Sequence, residues 1–314
     1  MAMTLDHTII TDIIKALNNI VVGQTTVVEQ VMVALLSGGH IILEGVPGTG
    51  KTLLAKTLSH LIKADFRRVQ LTPDILPADI LGTNIFDLNS RAFTLKKGPV
   101  FTEILLADEI NRTPPKTQSA LLEAMEEKQV TLDGQSLPLP ALFWTIATQN
   151  SLEFEGTYPL PEAQLDRFLF KVMVDYPNAA ASKQMLLAHQ KQSLDVNKVA
   201  AIATVEQILQ ARQAVAKITV AESILDYLIA LGERSRQDRD LALGASPRSL
   251  VLWLRASQAH SWIQGRDYVT PDDVKAVALP LLRHRLILKP EAQLDGIAID
   301  AVISGLLSQV GVPR

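Results

Sequence analysis

Residues 41–52, Ile-Ile-Leu-Glu-Gly-Val-Pro-Gly-Thr-Gly-Lys-Thr, constrain this chain most. An apolar run leads into glycines and then Lys-Thr, and the amphipathic run 53–58 follows. The order is strand, loop, helix, and it fits the G-x-x-x-x-G-K-[ST] phosphate loop. Glycines allow backbone conformations that a side chain blocks, so several N–H groups can converge on one anion. A helix opening near Gly50 aims its partly positive end at the same place. Lys51 is placed for the β- and γ-phosphates, and Thr52 for Mg²⁺ through its hydroxyl. Nucleotide contacts are expected from Gly45, Pro47, Gly48, Thr49, Gly50, Lys51, Thr52 and Leu53. A glycine-rich turn can also merely join a strand to a helix. The flanking apolar strand argues for the nucleotide loop.

With 314 residues and 47% hydrophobic content, the chain can bury one large core or two smaller ones. A net charge of -3 with no long Lys/Arg run argues against a general nucleic-acid binder. Cysteine is absent, which excludes disulfides and thiolate metal sites and fits a reducing compartment. Residues 1–6 lack the basic start and apolar centre of a signal peptide. No uninterrupted apolar run reaches the roughly 18 residues a membrane helix needs. The run 297–312 comes nearest, but Asp300, Ser304 and Gln309 interrupt it, and it reads as a packed amphipathic helix. The expectation is a soluble cytoplasmic protein without a membrane span.

Helical periodicity appears over 5–20 (Ile9, Ile13, Leu17, Ile20) and again over 26–36. Strands are expected at 41–44, 67–71, 104–107, 143–147 and 168–174. The run at 104–107 is continuously apolar, as for a strand buried on both faces. Helices lie between them, so the sheet should be parallel with right-handed crossovers. Residues 74–100 lack a clean period and read as an insertion of one small helix and a hairpin. Asp133-Gly134 between apolar residues marks a second hairpin at about 129–139. After Tyr176-Pro177 the strand signals largely stop, and helices are expected over 180–190, 205–216, 221–236, 247–263 and 271–283. An α/β domain over 1–176 should precede a helical domain over 177–314.

Asp108-Glu109 ends a buried strand. After a phosphate loop, Asp108 suits Mg²⁺, and Glu109 suits a water poised to attack the γ-phosphate. The alternative is a solvated acidic cap. Asn150 ends the next strand, where ligands bind in open α/β sheets, although Asn also favours an Asx turn there. In Ser246-Pro247-Arg248 a cation falls in the first turn of a helix, against the dipole. A bound phosphate reverses that sign, so Arg248 is a candidate for the γ-phosphate, against a plain surface arginine. The six histidines show no metal-ligand spacing and read as core-edge or surface residues. The three tryptophans read as packing residues rather than a base-stacking platform.

The order of motifs then becomes informative. Residues 45–52 (GVPGTGKT), 106–112 (LADEINR), 147–150 (ATQN), 158–168 (YPLPEAQLDRF) and 244–248 (GASPR) occur in sequence, with 69–74 (VQLTPD) and 98–101 (GPVF) between them. Together they closely resemble the MoxR family of AAA+ ATPases over roughly residues 20–290. The resemblance implies a five-stranded parallel P-loop core with a helical lid, working as a ring, usually hexameric, with ATP at each interface. It implies Walker A roles for Lys51 and Thr52 and Walker B roles for Asp108 and Glu109. Asn150 resembles sensor 1, Arg248 sensor 2, and Arg167 the arginine finger that reaches a neighbour's ATP. Val22, Gly23 and Gln24 match the stretch bordering the adenine. Residues 74–100 resemble the helix-2 insertion, and 129–139 the hairpin before sensor 1, elements that face the pore or the partner in such rings. One departure is Ser151, where the family usually has proline.

The family works with partners carrying a von Willebrand factor A domain and remodels proteins in a chaperone-like way. It serves enzyme maturation, cofactor or metal insertion, or envelope proteins. The main alternative is the motor subunit of a metal chelatase, whose core is related. A nucleic-acid motor is less favoured, because 129–137 contains no Lys or Arg to meet phosphates. A metabolic kinase or GTPase ranks last, since no Asn-Lys-x-Asp motif is present.

Overall fold

The computed structural model describes residues 7–88, 91–150, 156–190 and 199–313. The expectations placed on 1–6 and on Ser151 fall outside these residues. Two helices, α1 (Thr8–Ile20) and α2 (Thr25–Ser37), precede β1 (His40–Glu44). The phosphate loop then runs into α3 (Lys51–Leu61), followed by β2 (Phe66–Gln70). The insertion is α4 (Pro77–Leu81) with the hairpin β3 (Gly82–Asp87) and β4 (Ala92–Lys97). Next come β5 (Ile104–Asp108), a 3₁₀ turn at Ile110–Arg112, and α5 (Pro115–Glu127). The second hairpin is β6 (Gln129–Leu132) and β7 (Gln135–Pro138), turning through Asp133 and Gly134, both with positive φ. Strand β8 (Trp144–Gln149), the short helix α6 (Glu162–Leu165) and β9 (Phe168–Met173) complete the α/β part.

The five central strands form one sheet in the order β2-β5-β8-β1-β9, every neighbouring pair parallel. Strands β1, β5 and β8 are interior and almost wholly buried, which is why they read as unbroken apolar runs. Their side chains alternate between two buried clusters. Ile41, Leu43, Leu106 and Ile146 join the cluster with α1, α2 and α3, and Ile42, Leu105 and Ala147 join the one with α5. In α1 the buried set is Ile10, Ile13, Leu17 and Ile20, with Ile10 in place of the expected Ile9.

The C-terminal part holds α7 (Ala179–Gln190), α8 (Val205–Val215), α9 (Glu222–Arg236) and α10 (Pro247–Ile263). It continues with α11 (Pro271–Ala276), α12 (Ala278–Leu282), α13 (Pro290–Leu294) and α14 (Ile299–Gln309). Among the described residues it is helical apart from a short antiparallel ribbon that the sequence did not announce, β10 (Leu241–Leu243) with β11 (Ile287–Leu288). The helix expected over 271–283 breaks at Val277. Pro280 has no N–H for the carbonyl of Ala276, and its ring crowds that carbonyl. In α9, Ile224, Tyr227, Leu228 and Leu231 enter the core, while Leu225 and Ile229 are exposed. The run at 297–312 forms α14 and buries Val302, Ile303 and Leu306. Among the described residues no helix is long and apolar enough to cross a membrane.

The helical part shares a core with the sheet. One buried cluster runs from α1–α3 into α8, α9, α10, α12 and α14. Polar links cross the same seam. His260 on α10 binds Asp273 (2.6 Å) and approaches Glu29 on α2 (3.5 Å). Buried Arg285 donates to Asp166 and to the carbonyls of Phe168, Leu169 and Leu281. The tryptophans are packing residues as expected: Trp144 and Trp253 are buried, with indole N–H groups donating to the carbonyls of Gly39 and Val274. Three histidines are more than core-edge residues. His40 is buried between the Met125 carbonyl and the Thr145 N–H, His284 is buried against Phe168, and His260 carries the ionic link just described.

Candidate nucleotide site and a separate arginine cluster

At the C-terminal ends of the central strands, a cavity of about 400 Å³ gathers the expected phosphate-loop residues. Pro47, Gly48, Thr49, Gly50, Lys51, Thr52 and Leu53 line it with Asp108, Glu109 and Asn150. Parallel register brings them together, because β1, β5 and β8 lie side by side and end at one level. The glycines answer two different needs. Gly48 and Gly50 sit at φ +80° and +88° with open space around a hypothetical Cβ, so backbone conformation demands glycine there. At Gly45 a Cβ would fall 2.1 Å from the Val174 carbonyl oxygen, so the demand is for space.

Lys51 folds inward, and its Nζ donates to the carbonyls of Gly45 (2.7 Å) and Val46 (2.8 Å). Burial lowers its pKa, while the negative charges of Asp108 and Glu109 oppose that shift. Asp108 ends β5 with both carboxylate oxygens engaged. Thr148 on β8 donates its hydroxyl to Oδ1, and Arg68 on β2 donates to Oδ2 from Nε (3.0 Å) and Nη2 (2.6 Å). The same Thr148 oxygen accepts the Glu109 N–H (2.9 Å), so one side chain orients both acidic residues. Glu109 holds φ +61°, a left-handed conformation uncommon for a residue with a side chain, and its carboxylate pairs with Arg112 (3.1 Å). Sequence reading missed Arg68 and Thr148. Their partners come from neighbouring strands; Thr148 at least stands near the end of β8, but Arg68 lies in the middle of β2.

This donor set suits a nucleoside triphosphate with a divalent cation. The loop offers backbone N–H groups and a cradle free of Cβ atoms, Lys51 offers a desolvated cation, and Thr52 and Asp108 offer hard oxygens in the same cavity. Among the described residues no group of three or more His, Asp or Glu can hold a metal alone. Such a cation therefore depends on phosphate oxygens and water as well.

Val22, Gly23 and Gln24 lie elsewhere. Gly23 and Gln24 line a second cavity, of about 640 Å³, with Asp175, Tyr176, Leu279 and Arg283. Val22 is buried, and Gln24 donates to the Asp175 carbonyl (2.7 Å). Neither Arg167 nor Arg248 is among the residues that line the phosphate-loop cavity. Both reach Glu126 at the end of α5, at 3.2 Å and 3.0 Å. Arg248 also approaches Asp166 (3.5 Å), which Arg285 holds from its other side. The structure thus brings Arg248, expected at the γ-phosphate, together with Arg167.

With this geometry established, comparisons with known proteins decide the family. Residues 40–170 match the family described as ATPase family associated with various cellular activities (AAA), and 233–306 match the AAA lid domain. Chaperone MoxR1 of Mycobacterium tuberculosis is 40% identical over 304 residues, covering 94% of this chain and 80% of that protein. The chain belongs to the MoxR family of AAA+ ATPases. Protein MoxR of Paracoccus denitrificans is 31% identical, covering 98% of this chain and 97% of its own length. A crystal structure from Cytophaga hutchinsonii matches with a TM-score of 0.91 at 39% identity, over 98% of this chain and 96% of that one. This MoxR-family chain therefore shares its family's AAA core and lid along most of its length.

Proposed function

We propose that this MoxR-family protein hydrolyses ATP to ADP and phosphate at sites shared between identical subunits, and uses the energy to remodel a partner protein. One observation carries the shared site. Arg167 and Arg248 meet on Glu126, apart from the cavity that collects Lys51, Thr52, Asp108, Glu109 and Asn150. An assembled cation pair of this kind suits the triphosphate of a second copy. A closed ring, hexameric in the reading above, gives every cavity such a neighbour.

Within one subunit, backbone N–H groups of 48–52 and the Lys51 ammonium bind the β- and γ-phosphates. Thr52 and Asp108 would hold Mg²⁺, which neutralises phosphate charge and aligns the triphosphate. Glu109, with its backbone fixed by Thr148, orients the attacking water and takes its proton. Asn150 positions the same water. Arg167 and Arg248 of the neighbouring copy stabilise the charge that develops on the transferred phosphoryl group.

A chaperone-like role rests on the name of the Mycobacterium tuberculosis relative, and a partner with a von Willebrand factor A domain rests on the family resemblance. The β3–β4 hairpin, with exposed Phe86 and Phe93, suits contact with such a partner. Glu109→Gln tests the enzymatic part. ATP binding should persist while phosphate release falls by about 100-fold or more. Hydrolysis that survives the change contradicts the assignment.

A further inference from the structure

Asp108 is 9% exposed at the end of a strand buried on both faces. A carboxylate in that position needs a cation or several donors. Without three acidic or imidazole ligands together, the cavity does not build a metal cage of its own among the described residues. Arg68 meets the need. In the β2–β5 register Gln70 stands beside Asp108 and Arg68 beside Leu106, so Arg68 and Gln70 share a sheet face. The Arg68 side chain leans along the strand and places two nitrogens on Asp108 Oδ2, while Nη2 also donates to Gln70 (2.9 Å). Arg68 lines the same cavity as Lys51 and Thr52, and about half of its side chain is exposed.

The oxygen that Arg68 occupies is half of the carboxylate that the reading above gives to the divalent cation. The other oxygen already accepts the Thr148 hydroxyl. A guanidinium and a divalent cation repel each other and seek the same lone pairs, so they cannot both sit close to Oδ2. We propose that Arg68 is an internal cation that competes with the divalent metal for Asp108, and thereby sets how much metal the nucleotide-loaded protein requires. Arg68 also leaves the cavity more positive before metal arrives, which favours metal-free nucleotide. The proposal rests on the reading of this cavity as a nucleotide and metal site.

The test needs neither ring assembly nor turnover. The intact chain is saturated with ADP and titrated with Mn²⁺, free Mn²⁺ being read from its electron paramagnetic resonance signal. ADP affinity in EDTA is measured separately. Arg68→Gln should lower the half-saturating Mn²⁺ concentration by about threefold to tenfold and weaken ADP binding in EDTA by a similar factor. Arg68→Lys, which keeps the charge without the fork, should fall between. A merely structural ion pair predicts a changed melting temperature with an unmoved Mn²⁺ titration, and that result overturns the proposal. So does weaker Mn²⁺ binding in Arg68→Gln. If the unaltered protein binds no ADP at millimolar concentration, the nucleotide-site reading itself fails and the proposal falls with it.

Discussion

The phosphate-loop cavity and the arginine cluster are built on opposite plans. The cavity is a product of backbone: two glycines at positive φ, a helix N-terminus, and strands ending in register. Its main side chains come from short contiguous stretches. The cluster is a product of side chains drawn from distant points of the chain, namely Glu126 on α5, Asp166 and Arg167 beside α6, Arg248 on α10 and Arg285 after α12. The cavity is shaped to receive an anion. The cluster presents cations already gathered on carboxylates, and so suits delivery of charge to another molecule. In the function proposed above, the contrast separates what one subunit would do alone from what two would do together.

The largest effects should fall on the cavity. Lys51→Ala should abolish ATP binding and, with it, hydrolysis, as read by a fluorescent-nucleotide titration and phosphate release. Next, Arg167→Ala should reduce hydrolysis by about 1,000-fold while leaving ATP affinity within about twofold. Arg248→Ala should share that signature with a smaller loss, about 100-fold. An Arg248→Ala subunit that binds ATP poorly by itself breaks the comparison, because Arg248 would then serve its own cavity. Glu126→Ala comes third. The rate should fall several-fold, with a stability change under about 1 kcal/mol in a denaturant titration, since its ion pairs are half-exposed.

The smallest effect on turnover comes from the seam that holds the lid to the sheet, which bears on stability instead. Burial opposes a charge on His260, but hydrogen bonds and ion pairing with Asp273 and Glu29 outweigh it and push its pKa up to about 9. A raised folded-state pKa contributes stability that is complete below the unfolded value of about 6.5 and is lost as pH rises through 9. Melting temperature should therefore decline between pH 6.5 and pH 9.5, by the equivalent of about 3 kcal/mol, and His260→Gln should flatten that decline.

The two regions also differ in how far the sequence revealed them. The phosphate loop was legible because its geometry admits few residue types, and the interior strands because burial on both faces leaves an apolar run. Asp108 and Glu109 followed from their place at the end of such a strand. Arg68 and Thr148 were hidden, because their work depends on which strand lies next to β5, and strand order is not written in local periodicity. The meeting of Arg248 with Arg167 was hidden for the same reason on a larger scale. It depends on where packing on α2 leaves the start of α10, so that the Arg248 side chain reaches Glu126 across a separation of 122 residues. The break at Val277 is a different kind of miss: Pro280 stood in plain view inside the expected helix.

Subunit mixing tests most directly whether the cluster acts on a neighbouring subunit. Lys51→Ala and Arg167→Ala chains are each assayed alone and then mixed in equal amounts, with phosphate release followed against total protein concentration. Each alone should be inactive. Mixing should restore part of the activity, because an intact cavity on one chain then meets an intact arginine on the other, and the rate per subunit should rise with concentration. An Arg167→Ala chain that hydrolyses ATP normally by itself, at a rate independent of concentration, would contradict the account and leave each subunit with a complete site of its own.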